Sequence, residues 1–133
     1  VAASNGRGFQ VDEDEVIAQT RGGKQIMTVG DGVEAKFCVP VEGDTVAVIG
    51  NNRKLLVFSL EEVPVMARGR GVTLQKYTDG SLADVTTFTF AQGLSWKSGE
   101  RTRVETDMSP WKAYRGTIGR LPPNGFPKNN RFT

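Results

Sequence analysis

The sequence predicts an all-β protein built from repeated blades of about four short strands each. Short segments rich in Val, Ile, Phe, Thr and Leu alternate with turns that contain glycine, which is typical of an all-β domain. The chain has 16 glycines in 133 residues, a high count for a helical protein. A pattern of basic, apolar and acidic residues recurs after nearly 50 residues, the size of a propeller-type blade that packs on its neighbours.

Most of the regular structure is predicted as strands of about five residues, a normal strand length. The predicted strands are residues 7–11, 16–20, 25–29, 35–41, 45–49, 54–59, 65–67, 72–77, 84–90, 94–97 and 102–106. Residues 50–53 tolerate positive φ angles, so the strands on either side of them are predicted to pair as a hairpin. Residues 97–100 predict a second turn of this kind.

One helix signal lies near residues 110–114. Ser109 can cap a helix, Pro110 suits its first position and Gly116 can end it, so one or two turns are predicted there. The following segment, residues 121–127, contains three prolines. Because proline fixes φ and lacks an N–H donor, this tail is predicted to be irregular.

The repeat is visible when residues 5–16 are placed over residues 52–63, at an offset of 47. Both copies read basic, apolar, acidic and then valine. Residues 20–26 correspond to residues 66–72, with the register slipping by one residue. A third, weaker copy contains a hairpin at 94–106 and ends near 114–120.

We therefore predict a single unit over residues 1–133, with repeat 1 at about 5–50 and repeat 2 at about 51–98. A degenerate repeat 3 and a basic tail occupy about 99–133. At nearly 50 residues per blade, this length supplies fewer than three blades, so a partial disc is predicted, either a part of a larger disc or a short one.

Composition excludes several classes of function. With no histidine and one cysteine, the chain has no imidazole base, no internal disulfide and no multi-cysteine zinc site, and no metal site is predicted. No apolar run approaches the roughly 20 residues of a membrane helix, and the start lacks a signal peptide, which favours a cytoplasmic protein. The chain does not begin with methionine, so we expect a piece of a longer one.

Charge is distributed unevenly along the chain. Residues 1–100 carry 10 basic and 13 acidic side chains, whereas residues 101–133 carry 7 basic and 2 acidic ones. The net charges are thus −3 and +5. This basic end can meet a polyanion, or it can be a solvated tail that keeps the protein soluble.

Two boxes combine cations with glycines at equivalent places in the repeat. They contain Arg21 with Lys24 and Arg68 with Arg70. Glycine lets a phosphate approach the backbone closely, and arginine offers a planar fork that matches phosphate oxygens. One box alone is better explained by a hairpin turn with exposed cations, but recurrence at the blade period predicts cations along one rim.

Other noticeable residues receive structural interpretations. Cys38, in an apolar strand, is predicted to be a small buried side chain. The acidic run at residues 12–15 lacks the spaced ligands of a calcium loop and is predicted as a solvated turn. Trp96 and Trp111 could stack on nucleic-acid bases, but core packing is the commoner role. Tyr77 and Tyr114 are also predicted to pack.

Five segments of the sequence resemble the C-terminal repeats of bacterial type IIA topoisomerase A subunits. Residues 19–25, QTRGGKQ, are similar to the gyrase A box QRRGGKG, with departures at Thr20 and Gln25. The segments NRKLLVF at 52–58, MARGRGV at 66–72, LQKYTDG at 74–80 and GFPKNNRF at 125–132 are more similar to topoisomerase IV A subunits. The departures from the gyrase box put gyrase-type tight wrapping in doubt.

The resemblance implies a β-pinwheel, a disc whose blades exchange strands and whose basic rim binds and bends duplex DNA. The predicted DNA-binding residues are Arg7, Arg21, Lys24, Arg53, Lys54, Arg68, Arg70, Lys76, Arg115 and Arg120. No catalytic residue is carried over, because the catalytic tyrosine and the acidic metal site lie in the enzyme's other domains.

By the same resemblance, the domain would position duplex DNA for ATP-dependent strand passage, which performs decatenation and supercoil relaxation in chromosome segregation. ATP and Mg would be cofactors of the full enzyme and not of this fragment. The implied partners are duplex DNA, the other domains of the topoisomerase and its ATPase B subunit, in the bacterial cytoplasm at the nucleoid. The alternatives are a gyrase wrapping domain and a propeller-type module that binds an acidic protein surface.

Overall fold

A computed structural model describes residues 1–12, 35–66, 71–77, 80–98, 100–123 and 125–132. The strands are β1 Ala2–Ala3, β2 Arg7–Gly8, β3 Ala35–Phe37, β4 Thr45–Gly50, β5 Leu55–Ser59, β6 Val72–Thr73, β7 Leu82–Phe88, β8 Leu94–Ser98 and β9 Arg101–Glu105. Within these ranges the helical structure consists of three single 3-10 turns, Leu60–Glu62, Phe90–Gln92 and Ser109–Trp111. The all-β prediction is confirmed.

The strands form three antiparallel sheets. The first has the order β3-β1-β2-β6, the second β5-β4-β7, and the third is the hairpin β8-β9. β4 and β5 pair from Thr45 opposite Ser59 to Ile49 opposite Leu55, which confirms the predicted hairpin. β8 and β9 pair in the same way, from Leu94 opposite Glu105 to Ser98 opposite Arg101.

The offset of 47 residues recurs in the pairing of the first two sheets. Ala2 lies opposite Phe37 in the first sheet, and Ile49 lies opposite Asp84 in the second. The register shifts after both Ala2 and Ile49. The parallel bridge between Gln10 and Val65 likewise has an equivalent 47 residues later, the parallel bridge between Val57 and Lys112. The second sheet therefore repeats the pairing of the first at these positions, while the exact repeat boundaries stay a prediction.

The outermost strand of each repeat comes from a later part of the chain. β6 joins β2 in the first sheet, although β6 follows the β4-β5 hairpin of the second. In the second sheet the corresponding position is held by Arg120, whose backbone pairs with Leu55 through bonds of 2.6 and 2.9 Å. Neighbouring blades are thus connected by exchanged backbone pairs.

The central sheet is buried on both faces, which explains why β4 and β5 read as almost continuous apolar runs. Side chains alternate between two cores, because successive residues of a strand point to opposite faces. One core contains Ile49 and Val57 together with the β8-β9 hairpin of the third sheet, which we call the third hairpin. The other core contains Val48 and Phe58 together with the first sheet. Each blade therefore packs on its neighbours.

The tail is irregular, as predicted, but two of its phenylalanine side chains are buried. Phe126 is 4% exposed and Phe132 is 3% exposed, and both belong to the core between the second and third sheets. The Phe132 amide donates to the buried carboxylate of Asp84 at 2.9 Å, and its carbonyl accepts from the Lys97 amide at 3.2 Å. The tail thereby joins β7 to β8.

The short helix is present near its predicted place as a 3-10 turn, Ser109–Trp111. Met108, and not Ser109, occupies the N-cap position, without a side-chain cap. The Ser109 amide instead donates to the Asp107 carboxylate at 3.1 Å, because an aspartate two residues earlier is well placed to form this local turn. Lys112 then returns to an extended conformation and pairs with Val57.

Two packing predictions are wrong. Cys38 is exposed, because β3 ends at Phe37, one residue before it. Tyr114 is 81% exposed and contributes nothing to a core. In contrast, Trp96 is buried, Trp111 is half-buried, and burial raises the pKa of the Tyr77 phenol.

Several predicted elements lie outside the described residues. They are the strands at 16–20 and 25–29, most of the acidic run at 12–15, and both glycine–cation boxes with Arg21, Lys24, Arg68 and Arg70. Within the described ranges, no helix has the length and apolar character needed to cross a membrane.

Candidate nucleic-acid interface

The segment predicted as the end of the third, degenerate copy is described in full. Residues 113–119 follow residues 66–72 at the offset of 47, and they lie within a loop over residues 110–121 that we call the third-copy loop. Gly119 has a φ of 92°, and a Cβ atom there would lie 2.7 Å from the Leu55 carbonyl oxygen. Only glycine fits this close approach to β5.

Backbone hydrogen bonds hold the third-copy loop against two neighbouring segments. The Ala113 amide donates to the Val57 carbonyl at 2.9 Å. The Gly116 amide donates to Leu74 at 2.8 Å, and the Lys76 amide donates to Thr117 at 3.0 Å. The loop is therefore anchored both on the second sheet and on the chain that follows β6.

Side chains close the base of this loop. The Trp111 indole donates to the Leu121 carbonyl at 2.7 Å, and the Arg120 guanidinium donates to the Pro110 carbonyl at 3.1 Å. Gln75, only 1% exposed, donates to the carbonyls of Ile118 and Lys54, both at 2.8 Å. A buried amide thus connects the loop to the start of β5.

Two predicted contact residues, Arg7 and Arg115, use their guanidinium groups inside the protein. Arg7 donates to the Gly71 carbonyl at 2.8 Å and to the Thr73 hydroxyl at 3.5 Å. Arg115 donates to the Thr73 carbonyl at 2.8 Å. Both side chains are half-buried beside β6. The sequence showed cations beside glycine but not these carbonyl partners.

Arg53 holds the tail. Its guanidinium donates to the carbonyls of Pro127 at 2.8 Å and Phe126 at 3.3 Å, and to the Asn130 side chain at 3.0 Å. Its backbone has a φ of 64° in the turn between β4 and β5. Arg53 therefore connects this turn to the segment that fills the core.

The remaining predicted contacts are differently placed. Lys54 is half-buried, whereas Lys76 and Arg120 are exposed. The four box cations lie outside the described residues. Lys76 and Arg120 are therefore the most exposed of the predicted contact residues that the structure describes. The role of all ten residues in DNA contact stays a prediction.

Exposed cations form two groups. The loop cations, Lys76, Lys112 and Arg120, line a groove of about 550 Å³ beside the third-copy loop. The hairpin cations come from the third hairpin and the tail, and they are Lys97, Arg101, Arg103, Lys128 and Arg131. Among the described residues, the one ion pair within 4.0 Å joins Arg131 to Asp84 at 3.9 Å. Most of these cations are thus available to an external anion.

The carboxylate of Asp44, which interacts with the groove residue Lys112, has local hydrogen-bond partners. The amide of Phe90 and then the hydroxyl of Thr45 donate to Asp44 and hold the pKa of its carboxyl below the usual value. The Lys112 ammonium, 4.6 Å from the centre of the Phe90 ring, adds a smaller lowering effect. Within the described part of the chain, no three acidic, Cys or His side chains gather as a metal site requires.

The family profile described as DNA gyrase C-terminal domain, beta-propeller, matches residues 1–41 and 44–88, more than half of the chain. The chain belongs to this family. Its three sheets with exchanged strands form an open, partial disc of the family's propeller-like architecture.

Relatives confirm the resemblance seen in the sequence. The chain is 51% identical over 133 residues to the A subunit of DNA topoisomerase 4 from Rickettsia bellii, covering 100% of this chain and 18% of that protein. It is 41% identical to the Caulobacter vibrioides protein of the same name, covering 99% and 17%. The chain thus spans less than a fifth of either relative.

Two solved structures share the fold. The E. coli ParC C-terminal domain superposes with a TM-score of 0.73 at 20% identity, covering 96% of this chain and 56% of that one. A C-terminal domain of DNA topoisomerase IV gives 0.67 at 15% identity, covering 90% and 39%. At these low sequence identities, the two superpositions show that the fold is shared and nothing further.

Replacing Arg53 separates a structural role from a phosphate contact. Arg53→Ala is expected to lower the free energy of unfolding by about 2–3 kcal/mol, because three charge-assisted hydrogen bonds are lost. Arg53→Lys keeps the positive charge but lacks the planar guanidinium, so it should lose part of that stability and retain the salt dependence of DNA affinity. Urea unfolding and salt titration measure the two effects. Normal unfolding of Arg53→Ala with a flatter salt slope would assign Arg53 to DNA.

Proposed function

We propose that the chain is the DNA-binding and DNA-bending C-terminal domain of a topoisomerase IV A subunit. The observation that carries this proposal is the 51% identity, along the whole chain, to the Rickettsia bellii protein named as the A subunit of DNA topoisomerase 4. The domain positions duplex DNA for ATP-dependent strand passage, as decatenation and supercoil relaxation require.

The surface charges support duplex DNA as the ligand. The loop cations and the hairpin cations are eight exposed side chains, of which one is paired with a described carboxylate. Lysine and arginine can neutralise phosphates on any sequence, so such a surface holds DNA without reading bases. Bending follows when cations on successive blades hold successive stretches of one duplex.

The remaining parts of the proposal concern the whole protein. The chain spans 18% of its Rickettsia bellii relative, and catalysis, ATP and Mg would belong to other parts of the assembly. The partners would be the other domains of the topoisomerase and its ATPase B subunit, in the bacterial cytoplasm at the nucleoid. Chromosome segregation is the process that this activity would serve.

Duplex affinity should depend steeply on salt and little on sequence. If Lys76, Arg120 and the four box cations each neutralise one phosphate, the slope of log K against log salt is expected to be roughly −5, at about −0.9 per contact. Fluorescence anisotropy with two labelled duplexes of different sequence, between about 50 and 200 mM salt, measures it. Absence of binding at the lowest salt would overturn the proposal and favour an acidic protein partner.

A further inference from the structure

The third-copy loop exposes apolar side chains that its own packing does not explain. Tyr114 is 81% exposed, Leu121 is 63% exposed and Ile118 is 42% exposed. Scattered exposed apolar residues are normal, but here three of them fall within eight residues of one loop. We call Tyr114, Ile118 and Leu121 the loop patch.

The side chains of the loop patch are exposed although hydrogen bonds hold the backbone of the third-copy loop in place. The Tyr114 carbonyl accepts from the Thr117 hydroxyl at 2.9 Å, and the Ile118 carbonyl accepts from the buried Gln75 amide at 2.8 Å. The Leu121 carbonyl accepts from the Trp111 indole at 2.7 Å. Because the backbone on which the patch stands is already ordered, a ligand that covers the patch has less conformational entropy to remove.

The charges beside the patch favour a polyanion. Ile118 and the three loop cations line the same groove, and none of the described acidic side chains lines it. Lys112 is near Asp44 and Phe90, whereas Lys76 and Arg120 make no ion pair with a described carboxylate. Duplex DNA fits this chemistry, since its phosphates alternate with the less polar faces of deoxyribose, and tyrosine also contacts phosphates.

We propose that Tyr114 and Ile118 make a nonionic contact with duplex DNA while Lys76 and Arg120 hold the flanking phosphates. The inference rests on the proposed DNA-binding function and adds a contact that charge alone does not supply. The phenol and the isoleucine cover the sugar surface between two phosphates. Their contribution to affinity therefore does not depend on counterion release and should be insensitive to salt.

Three variants of the 133-residue chain test this in salt titrations with a labelled duplex. Tyr114→Ala should weaken binding about tenfold at every salt concentration, as removal of an interfacial aromatic typically does, with an unchanged slope. Lys76→Ala with Arg120→Gln should reduce the slope by about 1.8, or 0.9 for each lost phosphate contact. Glutamine keeps a donor for the Pro110 carbonyl. Val41→Ala is the matched control, because Val41 is 52% exposed beside Glu42.

The outcomes separate this inference from the function on which it rests. If the wild-type chain binds DNA with a steep slope but Tyr114→Ala behaves like Val41→Ala, the nonionic contact is refuted and the DNA-binding function stands. If the wild-type chain does not bind DNA, both are refuted. Thermal unfolding of each variant should remain cooperative, because none of the three variants removes a core side chain.

Discussion

Replacing Arg21, Lys24, Arg68 and Arg70 together by alanine is expected to weaken duplex binding at every sequence. If each cation neutralises one phosphate, the slope of log K against log salt should shrink by roughly three to four units, at about 0.9 per contact. The reason is the recurrence of these cations beside glycine at equivalent positions of two repeats. Salt titration of anisotropy measures the slope, and thermal unfolding checks that the fold is intact.

A charge-matched variant is the control for this experiment. Replacing Lys97, Arg101, Arg103 and Lys128 by alanine also removes four positive charges, and all four side chains are exposed. A smaller change in slope is expected, because these residues lie outside the boxes. If the box variant keeps the wild-type slope and the control variant loses it, the DNA surface lies on the third hairpin and the tail.

Phe126→Ala is expected to cost about 3–5 kcal/mol of unfolding free energy, as other large aromatic deletions in cores do. The ring is 4% exposed, with its centroid 5.4 Å from that of Trp96 and 5.6 Å from that of Phe132. Deleting it leaves a cavity between the second and third blades. Since small domains have only about 5–15 kcal/mol of stability, this is a large fraction.

Urea unfolding followed by tryptophan fluorescence measures this effect. Leu121→Ala is the control from the same irregular tail, because Leu121 is 63% exposed. An exposed substitution should change the unfolding free energy by less than about 0.5 kcal/mol. Equal stabilities of the two variants would show that the tail does not close the core.

Much of the fold could be predicted from the sequence because its signals are local. The apolar runs of β4 and β5, separated by residues that tolerate positive φ, predicted a hairpin that the pairing of Val46 with Phe58 confirms. The offset of 47 likewise reappears in the paired backbones. The prediction of Ser109 as the N-cap of the short helix was wrong. The carboxylate of Asp107, two residues earlier, competes as a local acceptor and accepts from the Ser109 amide.

The candidate site was less predictable, because charge in a sequence does not reveal what a side chain touches. Arg53, Arg115 and Lys76 were equivalent as predicted cations, yet the two arginines donate to carbonyls of distant segments and the lysine is exposed. Tyr114 was predicted to pack because aromatic rings usually do. Its exposure follows from the path of the third-copy loop.

The sequence by itself determined the strand class, the repeat, the family and the concentration of positive charge toward residue 133. These follow from local periodicity and from residue types. Only the tertiary structure decided that the basic tail buries Phe126 and Phe132, that β6 belongs to the preceding sheet, and which cations are exposed. The reason is physical: burial and hydrogen-bond partners depend on segments that are far apart in sequence and meet only when the blades pack together.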